Sequence, residues 1–117
     1  ILGRAQIAIF PYADSLISRS KNSVKLLELM AAGCAVIASN VGDVPAVTGA
    51  SAVLVEGSDP SAFASATIDL WHNAERIRWL SSSAQHRALN QFCLPNVTRL
   101  LLGAYRNAGV LPPCSHV

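Results

Sequence analysis

Apolar residues cluster in three short segments of the chain, each bounded by residues that favour turns. The segments are Ile7–Tyr12 (IAIFPY), Ala35–Ser39 (AVIAS) and Ala52–Glu56 (AVLVE). Their apolar positions run on without alternating with polar ones, a pattern typical of strands covered on both faces, as in a parallel sheet. The chain is therefore predicted to contain three buried parallel strands.

The segments between and after these strands carry apolar residues at helical spacing. Helices are predicted over about Ser23–Ala32, about Ala74–Phe92 and about Pro95–Asn107, with a single turn around Pro45–Val47 and a further helix that opens at Pro60. Gly33 and Gly109 suit the positions just past two of these helices. Asp59 before Pro60 combines a capping residue with a favoured first helical residue.

The apolar stripes of two of these helices predict part of the core. The inward-facing residues are expected to be Ala62, Phe63, Ala66, Ile68, Leu70 and Trp71 in the helix after Asp59, and Ile77, Leu80, Ala84 and Leu89 in the next helix. Trp71 and Trp79 are interpreted as core residues and not as an aromatic platform for a ligand.

A strand, a helix and a strand at this spacing form a βαβ unit, which is right-handed by default. The element order predicts the second half of a doubly wound, Rossmann-like α/β domain, with a parallel sheet and helices on both faces. Such a half leaves one sheet edge and one core face open. We expect residues 1–109 to form this partial domain, whose other half lies upstream, and residues 110–117 to form a flexible tail.

Composition narrows the class of protein. The 117 residues are 51% hydrophobic, enough for the core of one domain, and the formal net charge of +2 without a run of like charges indicates no nucleic-acid or membrane surface. A cytoplasmic protein is expected, because no segment has the apolar length of a membrane span and no secretory signal is present. Neither a metal nor a disulfide framework is predicted, since ligand spacing is absent among Cys34, Cys93, Cys114, His72, His86 and His116.

The segment Ser18–Gly33 (SRSKNSVKLLELMAAG) lies where open parallel sheets bind ligands, beyond the carboxyl end of a strand. A helix N-terminus presents unpaired N–H groups and partial positive charge, which suit an anion. Lys21, Lys25 and Glu28, spaced i, i+4 and i+7, are predicted to share one helix face. Because a carboxylate accepts hydrogen bonds from a diol, a phosphate at the helix start and a ribose one turn further on would describe a nucleotide.

Plainer interpretations of these residues stay open. Lys25 and Glu28 could form a surface ion pair, worth a few tenths of a kcal/mol, and from the residues alone this has even weight with ligand binding. In the loop SNVGDVP, Gly42 could admit a ligand close to the backbone, but a glycine and an aspartate before Val-Pro also form an ordinary turn. Asp59 is interpreted as a helix cap and not as a ligand-binding residue.

Two longer segments, KLLELMAAGCAVIASNVGDVPAVTG and AVLVEGSDPSAFASATIDL, resemble the carboxyl-terminal half of the nucleotide-sugar-binding domain of retaining GT-B glycosyltransferases of the group 1, or family 4, type. The shared features are a glutamate followed by the turn MAAG, a strand, the motif S-x-x-G-x-x-P, another strand and a G-S-D-P sequence that opens a helix. The resemblance covers nearly the whole chain. It implies transfer of a sugar from a nucleotide-diphosphate sugar to an acceptor with retention of configuration.

The resemblance also implies roles for individual residues. Glu28 would hold the ribose hydroxyls of the donor, as the second of two glutamates separated by seven residues. The N–H groups around Asn22, Ser23 and Val24 would meet the diphosphate, beside the cations of Lys21 and Lys25.

The same resemblance implies that no metal or other cofactor is required, because the helix dipole and the cations would stabilise the leaving diphosphate. The residues 14–20 would lie near the donor sugar, and the last helix would cross back toward an acceptor domain. The main catalytic groups are expected upstream of Ile1. The implied partners are a nucleotide-sugar donor and an acceptor that is a glycan, a lipid or a small molecule; peripheral association with the inner face of a membrane, through the upstream domain, is left open.

Ser20 departs from the family pattern, because it stands where the first of the two glutamates is expected. The usual contact with the hydroxyls of the donor sugar is therefore absent or made by another group. Ala35 replaces a frequent proline and Ala46 a frequent glutamate. A second hypothesis is thus a non-catalytic nucleotide-sugar-binding module, and a third is half of a dinucleotide-dependent enzyme, which requires an upstream glycine motif.

Overall fold

A computed structural model describes residues 4–110 of the chain. Three parallel strands, β1 (Ile7–Phe10), β2 (Ala35–Ser39) and β3 (Ala52–Val55), form a sheet in the order β1-β2-β3. Ile7 pairs with Ala35, and Val36 pairs with Ala52. The three predicted strands are confirmed. The first ends at Phe10 and not at Tyr12, since Pro11 has no N–H group to donate to a neighbouring strand.

Six helices surround the sheet in the described part of the chain: α1 (Leu16–Ser20), α2 (Val24–Ala31), α3 (Val44–Thr48), α4 (Pro60–Trp71), α5 (Ala74–Gln91) and α6 (Leu94–Asn107). All predicted helices are present within a few residues of their expected bounds. The short helix α1 was not predicted. Asp59 caps α4 as expected, because its carboxylate accepts hydrogen bonds from the N–H groups of Ser61 (3.2 Å) and Ala62 (3.3 Å).

Both faces of the sheet are covered, as the continuous apolar strands predicted. One core cluster joins the sheet to α2, α3 and α5 and includes Leu26, Met30, Val36, Val44 and Ala84. The other joins it to α4 and α5 and includes Ile37, Val55, Phe63, Leu70 and Leu80. Strand β2 is buried along its whole length. The Rossmann-like α/β architecture is therefore confirmed.

The predicted core was wrong at four positions in α4 and α5. The exposed fractions are 58% for Ile68, 65% for Trp71, 56% for Trp79 and 56% for Leu89. Each helix buries only a narrow stripe: Phe63 and Leu70 in α4, and Leu80, Ala84 and Ala88 in α5. Trp71, Trp79 and Leu89 each adjoin a buried residue in sequence, and one step along a helix turns the side chain by about 100°.

Two apolar surfaces remain exposed in the described structure. Strand β1 pairs only with β2, and Ile9 on this edge is 50% exposed. Helix α6 has no buried residue, and its exposed apolar side chains include Leu94, Val97, Leu100, Leu101 and Tyr105. None of the helices within residues 4–110 is long and apolar enough to cross a lipid bilayer.

Cys34 is buried in the core as a small hydrophobic residue. The side chains of His72 and His86 are exposed. Cys114, His116 and all but Val110 of the predicted tail lie outside the described residues.

Candidate functional site

Hydrogen bonds tie together the carboxyl ends of the three strands. Ser39, the last residue of β2, is completely buried, and its hydroxyl accepts a hydrogen bond from the N–H group of Tyr12 at 2.8 Å. On the other side, the Asn40 side-chain amide donates to the Glu56 carboxylate at 2.7 Å. The loops after β1, β2 and β3 are thus held together at the carboxyl ends of the strands. Open parallel sheets bind their ligands at this end.

Local hydrogen bonds form α1, directly after β1. The Ser15 hydroxyl caps the helix by accepting a hydrogen bond from the N–H group of Ser18 at 3.1 Å. The Arg19 guanidinium makes two bonds to the Asp14 carboxylate, Nε to Oδ1 at 2.6 Å and Nη2 to Oδ2 at 2.8 Å. The hydrogen bond from Arg19 lowers the pKa of Asp14, although both groups are solvent-exposed.

Lys21 does not lie on the same helix face as Lys25 and Glu28, so this part of the sequence prediction was wrong. The helix α2 starts at Val24, and Lys21 is the extended C-cap residue of α1. The Lys21 ammonium lies 5.7 Å from the centre of the Tyr12 ring, in a cation–π contact. Lys21 therefore belongs to the short loop before α2 and not to the helix itself.

The N-terminus of α2 lacks the groups that usually satisfy a helix start. Ser23 is the N-cap residue, but its side chain makes no capping hydrogen bond, and the first turn contains no acidic residue. The N–H group of Leu26 donates to the Ser23 carbonyl at 3.2 Å. Within residues 4–110, the N–H groups of Val24 and Lys25 meet no acceptor. This end of the helix is therefore suited to an anion.

The predicted alternative of an ion pair between Lys25 and Glu28 is not formed. In the described part of the chain, the one ion pair within 4.0 Å joins Arg19 and Asp14. Both Lys25 and Glu28 are exposed, while Leu26 and Met30 bury the opposite side of α2. A cation and a carboxylate thus stand side by side in solvent without neutralising each other.

On the side where a side chain would lie, the close approach that Gly42 allows is made by the protein itself; the approach of a ligand, which was one of its two predicted interpretations, stays a prediction. Its φ of 62° is left-handed, and a Cβ atom there would lie 3.0 Å from both the Arg19 Cα and the Ser18 carbonyl oxygen. The backbone that approaches this glycine is therefore α1 of the same chain. Neither the Asp14–Arg19 pair nor this contact follows from a recognisable spacing in the sequence.

The start of α5 also brings charged side chains together, Glu75, Arg76 and Arg78, but there the Asn73 side chain caps the helix by accepting a hydrogen bond from the N–H group of Arg76 at 2.9 Å. Among residues 4–110, no three His, Cys, Asp or Glu side chains come together as a metal site. A depression of about 640 Å³ lies at the opposite, amino-terminal end of the sheet, lined by Gln6, Gly33, Arg78 and Gln85 among others. No carboxylate lines it, and the helix start that borders it, at Ala74 of α5, is already capped by the Asn73 side chain.

Comparisons with known proteins place these elements in context. Residues 1–73, which include the strands and every loop described above, match the family model for glycosyl transferases of group 1. Among solved structures, sucrose-phosphate synthase from Thermosynechococcus elongatus is 26% identical, with a TM-score of 0.61. The match covers 74% of this chain and 22% of the synthase, so the chain spans only a minor part of that enzyme. No sequence among the curated proteins matches significantly.

Proposed function

Because the chain belongs to the group 1 glycosyltransferases, we propose that it supplies part of the donor site of an enzyme that transfers a sugar from a nucleoside-diphosphate sugar to an acceptor. One observation carries this proposal. At the ligand-binding edge of the sheet, the uncapped N-terminus of α2 is flanked by Lys21 and Lys25, and the unpaired carboxylate of Glu28 follows one turn later. These groups match a diphosphate and the adjacent ribose diol.

In this proposal the N–H groups around Asn22, Ser23 and Val24 hold the diphosphate. Lys21 and Lys25 add positive charge. This charge stabilises the diphosphate more strongly in the transition state, where the leaving diphosphate becomes more negative. Glu28 accepts hydrogen bonds from the ribose hydroxyls. The family resemblance supports transfer with retention and without an obligatory metal; the groups that activate the acceptor are assigned to another part of the enzyme.

Ser20 supports a second candidate function, a module that binds a nucleotide sugar without turning it over. Its hydroxyl donates a hydrogen bond to the Ile17 carbonyl of its own helix at 3.1 Å. The hydroxyl donor of Ser20 is thus used within α1 itself. A module of this kind would bind nucleoside diphosphates as well as the enzyme does, but would transfer no sugar.

Calorimetry on the full-length protein tests the shared part of both candidates, with UDP, GDP, ADP and NAD as ligands. We expect at least one nucleoside diphosphate to bind and NAD not to bind. Glu28→Gln should weaken binding about 10- to 100-fold, because a hydrogen bond to a charged group contributes about 1.5–3 kcal/mol.

The control for this experiment is Glu75→Gln, which removes another exposed helical carboxylate, in the first turn of α5. It should leave the affinity unchanged. Normal binding by Glu28→Gln would contradict the role of Glu28. Sugar transfer by the wild-type protein separates the enzyme from the binding module, and exclusive binding of NAD would support the dinucleotide hypothesis instead.

A further inference from the structure

The helix α1 is joined to the rest of the molecule in an unusual way. It has no buried residue, and its two large apolar side chains, Leu16 and Ile17, are exposed. The Ser15 cap and the Asp14–Arg19 pair shape the helix, but both are local contacts within the same short segment. Side-chain packing and these polar bonds therefore do not fix where α1 lies on the sheet edge.

Gly42 provides a close contact between α1 and the loop that follows β2. A Cβ atom at this position would lie 3.0 Å from the Arg19 Cα, 3.0 Å from the Ser18 carbonyl oxygen and 3.2 Å from the Arg19 carbonyl oxygen. All three are backbone atoms, so no side-chain rotation can relieve the contact. Any residue other than glycine would require α1 and the loop to move apart by a few tenths of an ångström.

A displacement of α1 would reach the candidate donor site directly. Ser20 is the last residue of α1, Lys21 is its C-cap, and Ser23 is already the N-cap of α2. Only Asn22 separates the two caps. The contact at Gly42 therefore determines where Ser20, Lys21 and Asn22 stand relative to the N–H groups at the start of α2.

We propose that Gly42 is a positioning residue of the donor site, which holds Lys21 and Asn22 against the N-terminus of α2 by allowing the backbone of α1 to rest on the β2–α3 loop. This inference rests on the proposed function. Gly42 itself touches no ligand; it acts through the placement of α1.

Gly57 offers a matched control. Its φ of 67° is nearly the same as the 62° of Gly42, so an added side chain imposes similar backbone strain at both positions. A Cβ atom at Gly57 meets nothing within 4 Å, however. A comparison of Gly42→Ala with Gly57→Ala thus separates the displacement of α1 from the strain of the substituted residue.

The experiment measures the affinity of the full-length protein for UDP, GDP and ADP, and the donor KM if transfer is observed. Gly42→Ala should raise the Kd of the bound diphosphate about threefold to tenfold, because a misplacement of about 1 Å in a site can cost about 100-fold and the shift required here is a few tenths of an ångström. Gly57→Ala should stay within about twofold of wild type. A merely structural role would lower the fraction of binding-competent protein, and with it the apparent kcat, while leaving Kd and KM unchanged.

Gly42→Asn keeps the test decisive if Gly42→Ala fails to fold. Asparagine adopts a left-handed φ more readily than alanine, yet it carries the same Cβ atom. With Gly57→Asn as its control, it should show the same loss of affinity. Equal affinities of the Gly42 and Gly57 variants would overturn the proposal.

The failure of this inference can be told apart from the failure of the proposed function. If the wild-type protein binds no nucleoside diphosphate, the proposed function is wrong. If the wild-type protein binds and Glu28→Gln weakens binding, but the Gly42 variants bind like the Gly57 variants, only the positioning role of Gly42 is wrong.

Discussion

Lys25 and Glu28 are neighbours on the exposed side of α2, yet they do not pair. Asp14 and Arg19 behave differently, because each satisfies the other through two hydrogen bonds. At the scale of single residues, the sheet edge therefore contains one charge pair that is closed on itself and several charged groups that are available to a ligand. The pair of Asp14 and Arg19 has a structural role, and we expect the pKa of Asp14 to depend on it.

The pKa of Asp14 tests the pair. Hydrogen bonding to Arg19 lowers the pKa of this carboxyl below its ordinary value. Since the pKa is lower in the folded state, the pair contributes stability that is present above the unfolded pKa and is lost as the pH falls through the folded pKa. In Arg19→Gln, carbon NMR should show the pKa of Asp14 returning upward.

The control for this titration is Arg99→Gln, which removes an exposed arginine of α6 without touching Asp14. It should leave the pKa of Asp14 at its lowered value. An Asp14 titration that is the same in wild type and in Arg19→Gln would contradict the assignment of the lowered pKa to this pair.

At the scale of an element, the helix α2 combines a loss of stability with the proposed binding of a diphosphate. Its N-terminus has neither a side-chain cap nor an acid, and Lys25 in its first turn has the wrong charge for the helix dipole. Each of these features costs the unliganded protein some stability. A bound diphosphate would remove all of them.

Ser23→Asp should therefore stabilise the unliganded protein while weakening its binding of nucleoside diphosphates. An aspartate at the N-cap adds a favourable charge–dipole interaction of about 0.3–1 kcal/mol. The same carboxylate would repel the diphosphate, and we expect a loss of affinity of at least about tenfold. Urea denaturation and calorimetry measure the two effects.

Ser23→Asn is the matched control, because asparagine is an equally good N-cap without the charge. It should change the stability little and retain most of the affinity. A lower affinity of Ser23→Asn equal to that of Ser23→Asp would show that the shape of residue 23, and not its charge, governs binding.

The elements of the fold were predictable to different degrees. The strands and the longer helices follow from apolar patterns, and the cap of α4 follows from Asp59 before Pro60. The helix α1 was missed because its five residues bury nothing, so it leaves no apolar periodicity. The shared face of Lys21 and Lys25 was wrong because helical spacing was extended to Lys21, which precedes α2 and has an extended backbone as the C-cap of α1.

The location of the candidate site follows from the sequence and stays a prediction, whereas its internal contacts did not follow from the sequence. The rule that ligands bind at the carboxyl ends of parallel strands selected its loops. The contact of Gly42 with α1 joins residues that are far apart in sequence, and the pattern of residues alone contained no sign of it. Trp71 and Trp79 were assigned to the core because an apolar stripe in sequence does not reveal how wide a helix contact is.

The exposed apolar surfaces matter at the scale of the whole molecule. Monomeric proteins rarely expose large contiguous apolar patches. Ile9 on the β1 edge and the side of α6 that carries Val97 and Leu101 are both uncovered in the described structure. We therefore expect the 117-residue chain to associate with itself in solution.

Leu101→Arg should lower this association without destabilising the fold, because Leu101 is half exposed and α6 buries no residue. Size-exclusion chromatography with light scattering measures the association, and urea denaturation measures the free energy of unfolding. By comparison, Leu80→Ala in the core should lower the free energy of unfolding by about 2–5 kcal/mol. Asn96→Arg adds the same charge on α6 and serves as the control for charge; because the Asn96 amide donates a hydrogen bond to the Asn90 carbonyl, the free energy of unfolding of this variant is measured as well. If both arginine variants lower association equally, general charge repulsion and not the apolar side of α6 is responsible.

A wild-type chain that is monomeric at all concentrations would contradict the expectation that the chain associates with itself.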